Sequence, residues 1–394
     1  MKKINWPIWP KYSLSDQKSV QKVVSSNRLF AGKKVLNFEN KFRNFTKSKY
    51  AIGVGNATQG LHLALAALNI GKGDEIITTP FSFISSASCI LMQNAVPIFV
   101  DCATDTLSPN IDAIEDKITK RTKAIILVYP FGYAIRADRI KNLSKKYNLY
   151  FVEDASHAHG MFYKKKHAGT FGDIGVLSLH QRKSLSVGDG GMILTNNKLI
   201  AQKLRKLRSF GHEELSYNYR MTEFAGALGL NRIKNLNKEN KIRQKNAKIL
   251  DENLKEHPFI RLIRPISFSI SVYHKYLLRL NTKLIKCSLK QFSEQVQKKG
   301  IPLKIINENR NWDLLHRHSI FNPKVNPARG LPWLDKEYKG FMRKIKSYKK
   351  IKLPVIENLI DNELLELPID PPVNTKLVNR AIKVINETIN KNCY

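Results

Sequence analysis

The chain has 394 residues, 42% of them hydrophobic, and 67 lysines and arginines against 32 aspartates and glutamates, for a formal net charge of +35. That hydrophobic share excludes a disordered chain, the length suffices for two lobes around a sizeable buried core, and no run approaches the roughly 18 apolar residues a membrane helix needs. The basic residues are spread over 136–146, 164–166, 203–208, 232–255 and 339–352 without a nucleic-acid motif, so the charge reads as a compositional bias that also steers anionic substrates.

Short apolar runs at 51–54, 75–79, 97–101, 123–129, 150–153, 173–179 and 192–195 alternate with helical patterns, which predicts a large α/β lobe built on a mostly parallel seven-stranded sheet. In GNATQGLHLALAAL (55–68), Leu61, Ala64, Leu65 and Leu68 recur at helical spacing, and Asn56, Ala57 and Thr58 stand where that helix begins. A helix start offers N–H groups and a positive dipole end, which suits a phosphate. GDEIITTPFSFISSA (73–87) reads as a strand ending at Pro80, followed by Phe81 and Phe83, either ring being able to cover a flat heterocycle. FVEDASHAHG (151–160) sets Asp154 at the end of an apolar strand, where open α/β sheets display ligand-binding groups. SLHQRKSLSVGDGG (178–191) carries Lys183 between a strand-like stretch and the glycine-rich turn 188–191, a turn that lets backbone approach a ligand closely.

Beyond these, 222–257 reads as largely helical and links the lobes. A run at 272–280 and helix-like stretches at 289–299 and 375–390 predict a smaller C-terminal α/β lobe, with long loops and short helices over 307–353. The expected division is a large domain over 1–240 and a linking helix with the small domain over 241–394. Cys89, Cys102, Cys287 and Cys393 show neither a pairing pattern nor metal-ligand spacing, and the basic start MKKINWPIWP lacks the apolar centre of an export signal, so a cytoplasmic protein without a metal is expected.

A lysine for an imine, a carboxylate for a pyridine nitrogen, a helix start for a phosphate and an aromatic lid together describe a pyridoxal phosphate site. The lysine must reach the aldehyde as a neutral amine and later carry a proton between two carbons. The carboxylate keeps the ring nitrogen protonated through a charge-assisted hydrogen bond worth on the order of 1.5–3 kcal/mol.

Over about residues 30–236 the chain resembles the DegT/DnrJ/StrS-type sugar aminotransferases, which are fold-type I pyridoxal phosphate enzymes. The resemblance rests on AGKKVLNFENKF, GDEIITTPFSF, PIFVDCATDTLSPNIDAIEDKITKRTKAII, EDASHAHG, GDIGVLSLHQRKSLSVGDGG and SYNYRMTEFAGALGL, in that order. It implies Lys183 as the Schiff-base lysine, Asp154 as partner of the pyridine nitrogen and His157 beside the phenolic oxygen. Ser178 with Ala57 and Thr58 would hold the phosphate, and Phe83 would stack on the ring. Asn218 would reach the cofactor phosphate of a neighbouring subunit, which implies a homodimer with shared sites. LLHRHSIF (314–321) resembles a segment carrying a substrate-contacting histidine, here His316. Asp189 stands where the family often has glutamate, and Leu179 where an aromatic is common; neither change removes a reacting group. Lys183 stands where dehydratase relatives have histidine, which argues for amino transfer.

The implied reaction moves an amino group from glutamate or glutamine to a keto group of a nucleotide-linked (deoxy) sugar, in lipopolysaccharide or other glycan biosynthesis. A keto-cyclitol acceptor, or a non-catalytic basic relative that regulates or binds nucleic acid, are the alternatives. Taken singly, Asp154 reads as a cap or turn residue, His157 and His159 as core histidines, Thr58 as a helix cap, Asn218 as a turn residue and His316 as a surface histidine. Their joint order carries the reading.

Overall fold

A computed structural model of the chain describes residues 5–30, 32–210, 215–263, 265–308, 313–321 and 348–392. All seven apolar runs become strands of one sheet: β1 (Tyr50–Val54), β2 (Glu75–Thr78), β3 (Val96–Phe99), β4 (Thr122–Val128), β5 (Tyr150–Asp154), β8 (Ile174–Ser178) and β9 (Gly191–Thr195). Between β5 and β8, the short strands β6 (Phe162–Tyr163) and β7 (Lys166–His167) join β10 (Ser269–Ile270) in a separate small sheet. The order of the large sheet is β1-β9-β8-β5-β4-β2-β3; β9 runs antiparallel to both neighbours and the remaining pairs are parallel.

These strands are apolar without alternation because helices cover both faces. Ala124 and Ile126 of β4 point into one cluster with Leu61 and Leu65 of α3 (Ala57–Ala67), Ile90 of α4 (Ser85–Met92) and Leu204 of α7 (Lys198–Arg208). Ile125 and Leu127 point the other way, toward Phe38 of α2 (Lys33–Thr46) and Ile140 of α6 (Ala137–Lys146). The N-terminal helix α1 (Leu14–Ser25) packs on α8 (Glu223–Arg232), and α5 (Ile111–Glu115) packs on α6.

Two buried glutamates tie distant segments together. Helix α2 begins at Gly32, which has no capping side chain. Glu223 of α8 supplies the acceptor instead, taking hydrogen bonds from the N–H groups of Gly32, Lys34 and Val35, each at 2.9 Å. The GKKV and MTEF segments therefore meet in space.

Glu153 points away from its neighbour Asp154, accepting from the N–H groups of Gly169 (2.9 Å), Phe171 (2.7 Å) and Gly172 (2.6 Å) and from the Tyr129 hydroxyl. Burial pushes its carboxyl up, and these donors oppose that shift. Glu153→Ala strands several buried donors, each costing about 1–3 kcal/mol. We expect the denaturation midpoint to fall by the equivalent of roughly 3 kcal/mol or more; an unchanged midpoint would show that water replaces the carboxylate.

The tract at 222–257 is helical in two pieces, α8 and α9 (Leu236–Leu254), and the expected lobe boundary at 240 falls inside α9. Along α9, Asn240, Arg243 and Asn246 form a buried polar face. Asn240 Nδ2 donates to the His159 carbonyl (2.7 Å), and Asn246 Nδ2 to the carbonyls of Ile369 (3.2 Å) and Val373 (2.8 Å). One helix face thus grips the EDASHAHG run and the C-terminal region at once.

Of the run 272–280, only β11 (Tyr276–Arg279) is strand. Just before it, Val272 and His274 donate instead to the carbonyls of Gly132 (3.1 Å) and Phe131 (2.8 Å). β11 forms an antiparallel sheet with β13 (Leu364–Leu367) and β12 (Lys304–Ile305), with α10 (Leu289–Lys298) and the C-terminal helix Thr375–Asn392 contributing Phe292, Val296, Ile382 and Ile385 to its core. The segment 307–353 is described only in part, as short 3-10 turns such as Leu315–Arg317 and Tyr348–Lys350; the GLPWLDKEY stretch lies outside the described residues. No helix among the described residues is long and apolar enough to cross a membrane.

Candidate active site

The parallel strands deliver their C-terminal ends to one edge of the sheet. There Asp154 ends β5, Ser178 ends β8 and Gly191 begins β9, with Ser178 and Gly191 paired directly. This is the edge where open α/β sheets bind ligands.

Lys183 sits in the loop that leaves β8. The Leu179 N–H donates to the Gly190 carbonyl (2.8 Å) and the Gln181 N–H to that of Gly188 (2.6 Å), closing the loop at its neck; Gly188 takes φ +92, a conformation open to glycine. The Trp9 indole donates to the Lys183 carbonyl at 3.3 Å, so the N-terminal segment braces the loop from outside. Residue 183 is half-buried overall while its amine end is enclosed. Burial pushes that amine down to about 8; Asp154 pulls it back up, and Lys275 and Arg182 push it further down.

Asp154 is buried, with Oδ2 accepting from the Ser86 hydroxyl at 2.6 Å and Oδ1 from the Ser156 N–H at 3.1 Å. Ser86 is in turn 2.7 Å from the Ser82 hydroxyl. A two-serine relay therefore orients the carboxylate, and sequence reasoning missed it; the serine-rich FSFISSAS was its only trace.

His157 Nδ1 accepts the Phe131 N–H at 3.2 Å, which leaves the proton of the neutral ring on Nε2. Its ring stacks on His274 (4.6 Å, 25°) and on Phe131 (5.4 Å, 27°). Burial, then the charge of Lys183, hold His157 well below the ordinary imidazole range, so it stays a neutral N–H donor. His274, not singled out in the sequence, is buried with no hydrogen-bond partner at Nδ1 among the described residues. His159 is also buried, its ring held down to about 3, first by burial and then by Lys183.

At the other end of this group, Asn56 caps α3 by accepting the Gln59 N–H at 2.9 Å, leaving Ala57 and Thr58 in the first turn; Thr58 Oγ1 lies 2.6 Å from Ser85 Oγ. A Cβ on Gly191 would stand 2.7 Å from the Asn56 carbonyl carbon and 2.9 Å from the Ala57 nitrogen. Only glycine lets β9 lie this close to the helix start. Ser178 is buried at the same edge, its hydroxyl a long 3.4 Å from the His180 N–H. A helix N-terminus, a serine hydroxyl and a glycine floor suit a phosphate, and the neutral His157 N–H, the buried carboxylate and the lowered lysine amine suit a pyridine aldehyde. The residues fit pyridoxal phosphate.

The two phenylalanines divide. Phe81 is 5% exposed and packs against Phe131 at 5.9 Å as core, whereas Phe83 is 42% exposed. Asn218 is exposed, bridged to Ser209, with Oδ1 accepting from Arg220 Nε at 3.1 Å. His316 is not on the surface. It is 1% exposed, its Nε2 is 3.1 Å from Glu357 Oε1 and its ring packs near Phe99. The neighbouring Leu315 N–H donates to the Pro80 carbonyl (2.8 Å), which ties this segment to the loop bearing Phe81 and Phe83.

The profile of the DegT/DnrJ/EryC1/StrS aminotransferase family matches residues 11–332. The chain belongs to this family. Its members are sugar aminotransferases that depend on pyridoxal phosphate, and this chain is an aminotransferase of that kind. It is 32% identical over 385 residues to an uncharacterized protein of Methanocaldococcus jannaschii, covering 92% of this chain and 93% of the relative. Over 253 residues it is 36% identical to the GDP-perosamine synthase of Escherichia coli O157:H7, covering 62% and 68%. The X-ray structure of an aminotransferase from Psychrobacter cryohalolentis superposes with a TM-score of 0.88 at 25% identity, over 98% of this chain and 100% of the other.

In this aminotransferase the lowered amine has a kinetic consequence. An amine must be neutral to attack an aldehyde, so uptake of pyridoxal phosphate by the apo-protein should speed up about tenfold per pH unit until the lysine has lost its proton. With Lys183 at about 8 rather than the ordinary 10.5, we expect the plateau to begin near pH 8. Stopped-flow absorbance measures it, and a rate still rising at pH 10 would contradict the enclosed amine.

Proposed function

We propose that this aminotransferase takes an amino group from glutamate or glutamine and places it on a keto carbon of a nucleotide-linked deoxy sugar, in the assembly of a surface glycan such as lipopolysaccharide. The observation that carries the reading is the enclosed Lys183 amine within the field of the buried Asp154 carboxylate, at the ligand edge of the sheet. The GDP-perosamine synthase among its relatives supports a nucleotide-linked sugar, and a net charge of +35 favours capture of a diphosphate.

When bound, pyridoxal phosphate supplies an aldehyde that condenses with amines and a ring that accepts the electron pair of a deprotonated carbon. The chain's own groups do the rest. The α3 start at Ala57 and Thr58, with Ser178, binds the phosphate. Asp154, oriented by Ser86, would keep the ring nitrogen protonated, and the His157 Nε2–H would donate to the phenolic oxygen. Phe83 covers the ring face. Lys183 would move the proton as a general base and acid.

Asn218 faces outward on its own chain, as a residue serving a neighbouring copy must; this supports a homodimer with shared sites. The absence of cysteine pairing patterns supports a cytoplasmic enzyme. The test is a panel of keto-sugar nucleotides and keto-cyclitols incubated with glutamate or glutamine, with mass detection of the aminated product. Amination of cyclitols alone would replace the sugar reading, and no amination of either would defeat it.

A further inference from the structure

An amine that must meet an aldehyde carbon at bonding distance depends on how firmly its backbone is held. At the neck of the Lys183 loop the backbone of Leu179 and Gln181 is bonded to Gly190 and Gly188, and past the lysine Leu185 and Val187 are buried in the large core. The tip between them is met by a segment from the far end of the chain. The Trp9 indole N–H donates to the Lys183 carbonyl at 3.3 Å, and the Tyr12 hydroxyl lies 2.8 Å from Oγ of the buried Ser186. Both contacts fall on the loop whose backbone sets the reach of the reacting amine.

The segment is itself fixed. The Trp9 ring lies against the guanidinium groups of Arg243 (4.9 Å) and Arg232 (5.3 Å), and the Tyr12 ring against that of Arg232 (5.3 Å). A guanidinium is attracted to an aromatic face, most strongly where water is excluded, and both arginine side chains are almost wholly buried. Their charges are matched: Arg232 stands 3.6 Å from both Asp16 and Glu239, and Arg243 stands 3.1 Å from Asp370, whose other oxygen is 3.4 Å from Lys275. Arg232 Nη1 also donates to the Lys11 carbonyl (3.2 Å), and the Trp6 indole to the Pro368 carbonyl (3.2 Å). Arg243 Nη1 donates to Asn240 Oδ1 (3.2 Å), and Asn240 in turn holds the His159 carbonyl. One balanced cluster therefore sets both the lysine loop and the run that carries Asp154 and His157.

We propose that Trp9 and Tyr12 are positioning residues for Lys183, fixing the loop backbone so that the amine meets the cofactor aldehyde. In the step they serve, Lys183 Nζ forms a bond to the aldehyde carbon and the aldehyde oxygen leaves as water. This rests on the reading of Lys183 as the residue that bonds the cofactor, and extends it to the groups that hold the lysine in place.

The test separates binding of the cofactor from bonding to it, using the full chain freed of cofactor. Pyridoxine 5′-phosphate, which has no aldehyde, measures the site without the lysine bond, and stopped-flow absorbance at saturating pyridoxal phosphate measures the bonding step. In Trp9→Phe, which keeps a ring for the two arginines but loses the donor, we expect bonding to slow about 3–10-fold, the effect of one neutral hydrogen bond, with pyridoxine 5′-phosphate affinity changed less than about twofold. Tyr12→Phe should slow it about 2–5-fold. Trp9→Ala, which also loses the ring, should slow it about 10–100-fold, the effect of a shift on the order of 1 Å. Unchanged bonding rates in Trp9→Phe and Tyr12→Phe at wild-type melting temperature overturn the proposal. So does a slowing matched by an equal loss of pyridoxine 5′-phosphate affinity, which would mean general damage to the site. Failure of the lysine reading would appear separately, as a borohydride adduct of the wild-type holoenzyme on a residue other than Lys183.

Discussion

Lys183→Ala is expected to abolish steady-state amination while leaving the fold intact. Removing the proton carrier alone costs about 10²–10⁴-fold, and the loss of the nucleophile that holds the aldehyde adds to it. The loop should survive the change, since the hydrogen bonds that close its neck and brace it run through the backbone of Leu179, Gln181 and Lys183. Borohydride reduction of the wild-type holoenzyme followed by peptide mapping should place the cofactor on residue 183, and the Ala variant should carry no such adduct. A variant that still transaminates, or an adduct on another lysine, would remove the centre of the functional assignment.

Asp154→Asn is expected to have the second largest effect. The amide keeps the size of the side chain and an oxygen for the Ser86 hydroxyl at 2.6 Å, yet removes the charge that would hold the ring nitrogen protonated. Losing a preorganised electrostatic partner of this kind costs on the order of 10²–10³-fold in kcat. A second consequence can be read without turnover. Asp154 raises the Lys183 amine against the pull of burial, so its neutralisation should lower that amine further below about 8. The pH at which cofactor uptake reaches its plateau should move down in Asp154→Asn. An upward shift would mean that the carboxylate does not act on Lys183 through its charge.

The two predictions draw on residues that the chain order alone singled out. Lys183 and Asp154 were legible because each follows an apolar run short enough for a buried strand and because their companions come in the order of a known chemistry. All seven strands were legible for a related reason. Buried on both faces, β4 and β8 have no polar face to write into their sequence, and such runs stand out against the amphipathic helices between them.

Other parts of the site left no such mark. Ser86 orients Asp154 from 68 residues away, and its sequence surroundings are simply serine-rich. His274 sits in what reads as a strand, and the bonding of Val272 and His274 to the Gly132 and Phe131 carbonyls sets its ring against His157. Glu153 and Asp154 are adjacent carboxylates with opposite duties: one accepts loop N–H groups, the other faces the site, and the pleat of β5 assigns them. The resemblance marks His316 as a substrate-contacting histidine, and its basic surroundings taken alone read as a surface loop. Its burial against Glu357 depends on Leu315 docking on the Pro80 carbonyl.

The residues by themselves determined the α/β class, the seven strands and the glycine turn, and singled out the candidate lysine and carboxylate, since each is written in local pattern or in motif order. Only the tertiary structure decided which groups share the site with them. The order β1-β9-β8-β5-β4-β2-β3 brings the ends of β5 and β8 and the start of β9 to one edge, and Glu223 reaches the α2 start across 191 residues. Such contacts are set by how strands pair and helices pack, and no spacing along a chain encodes them.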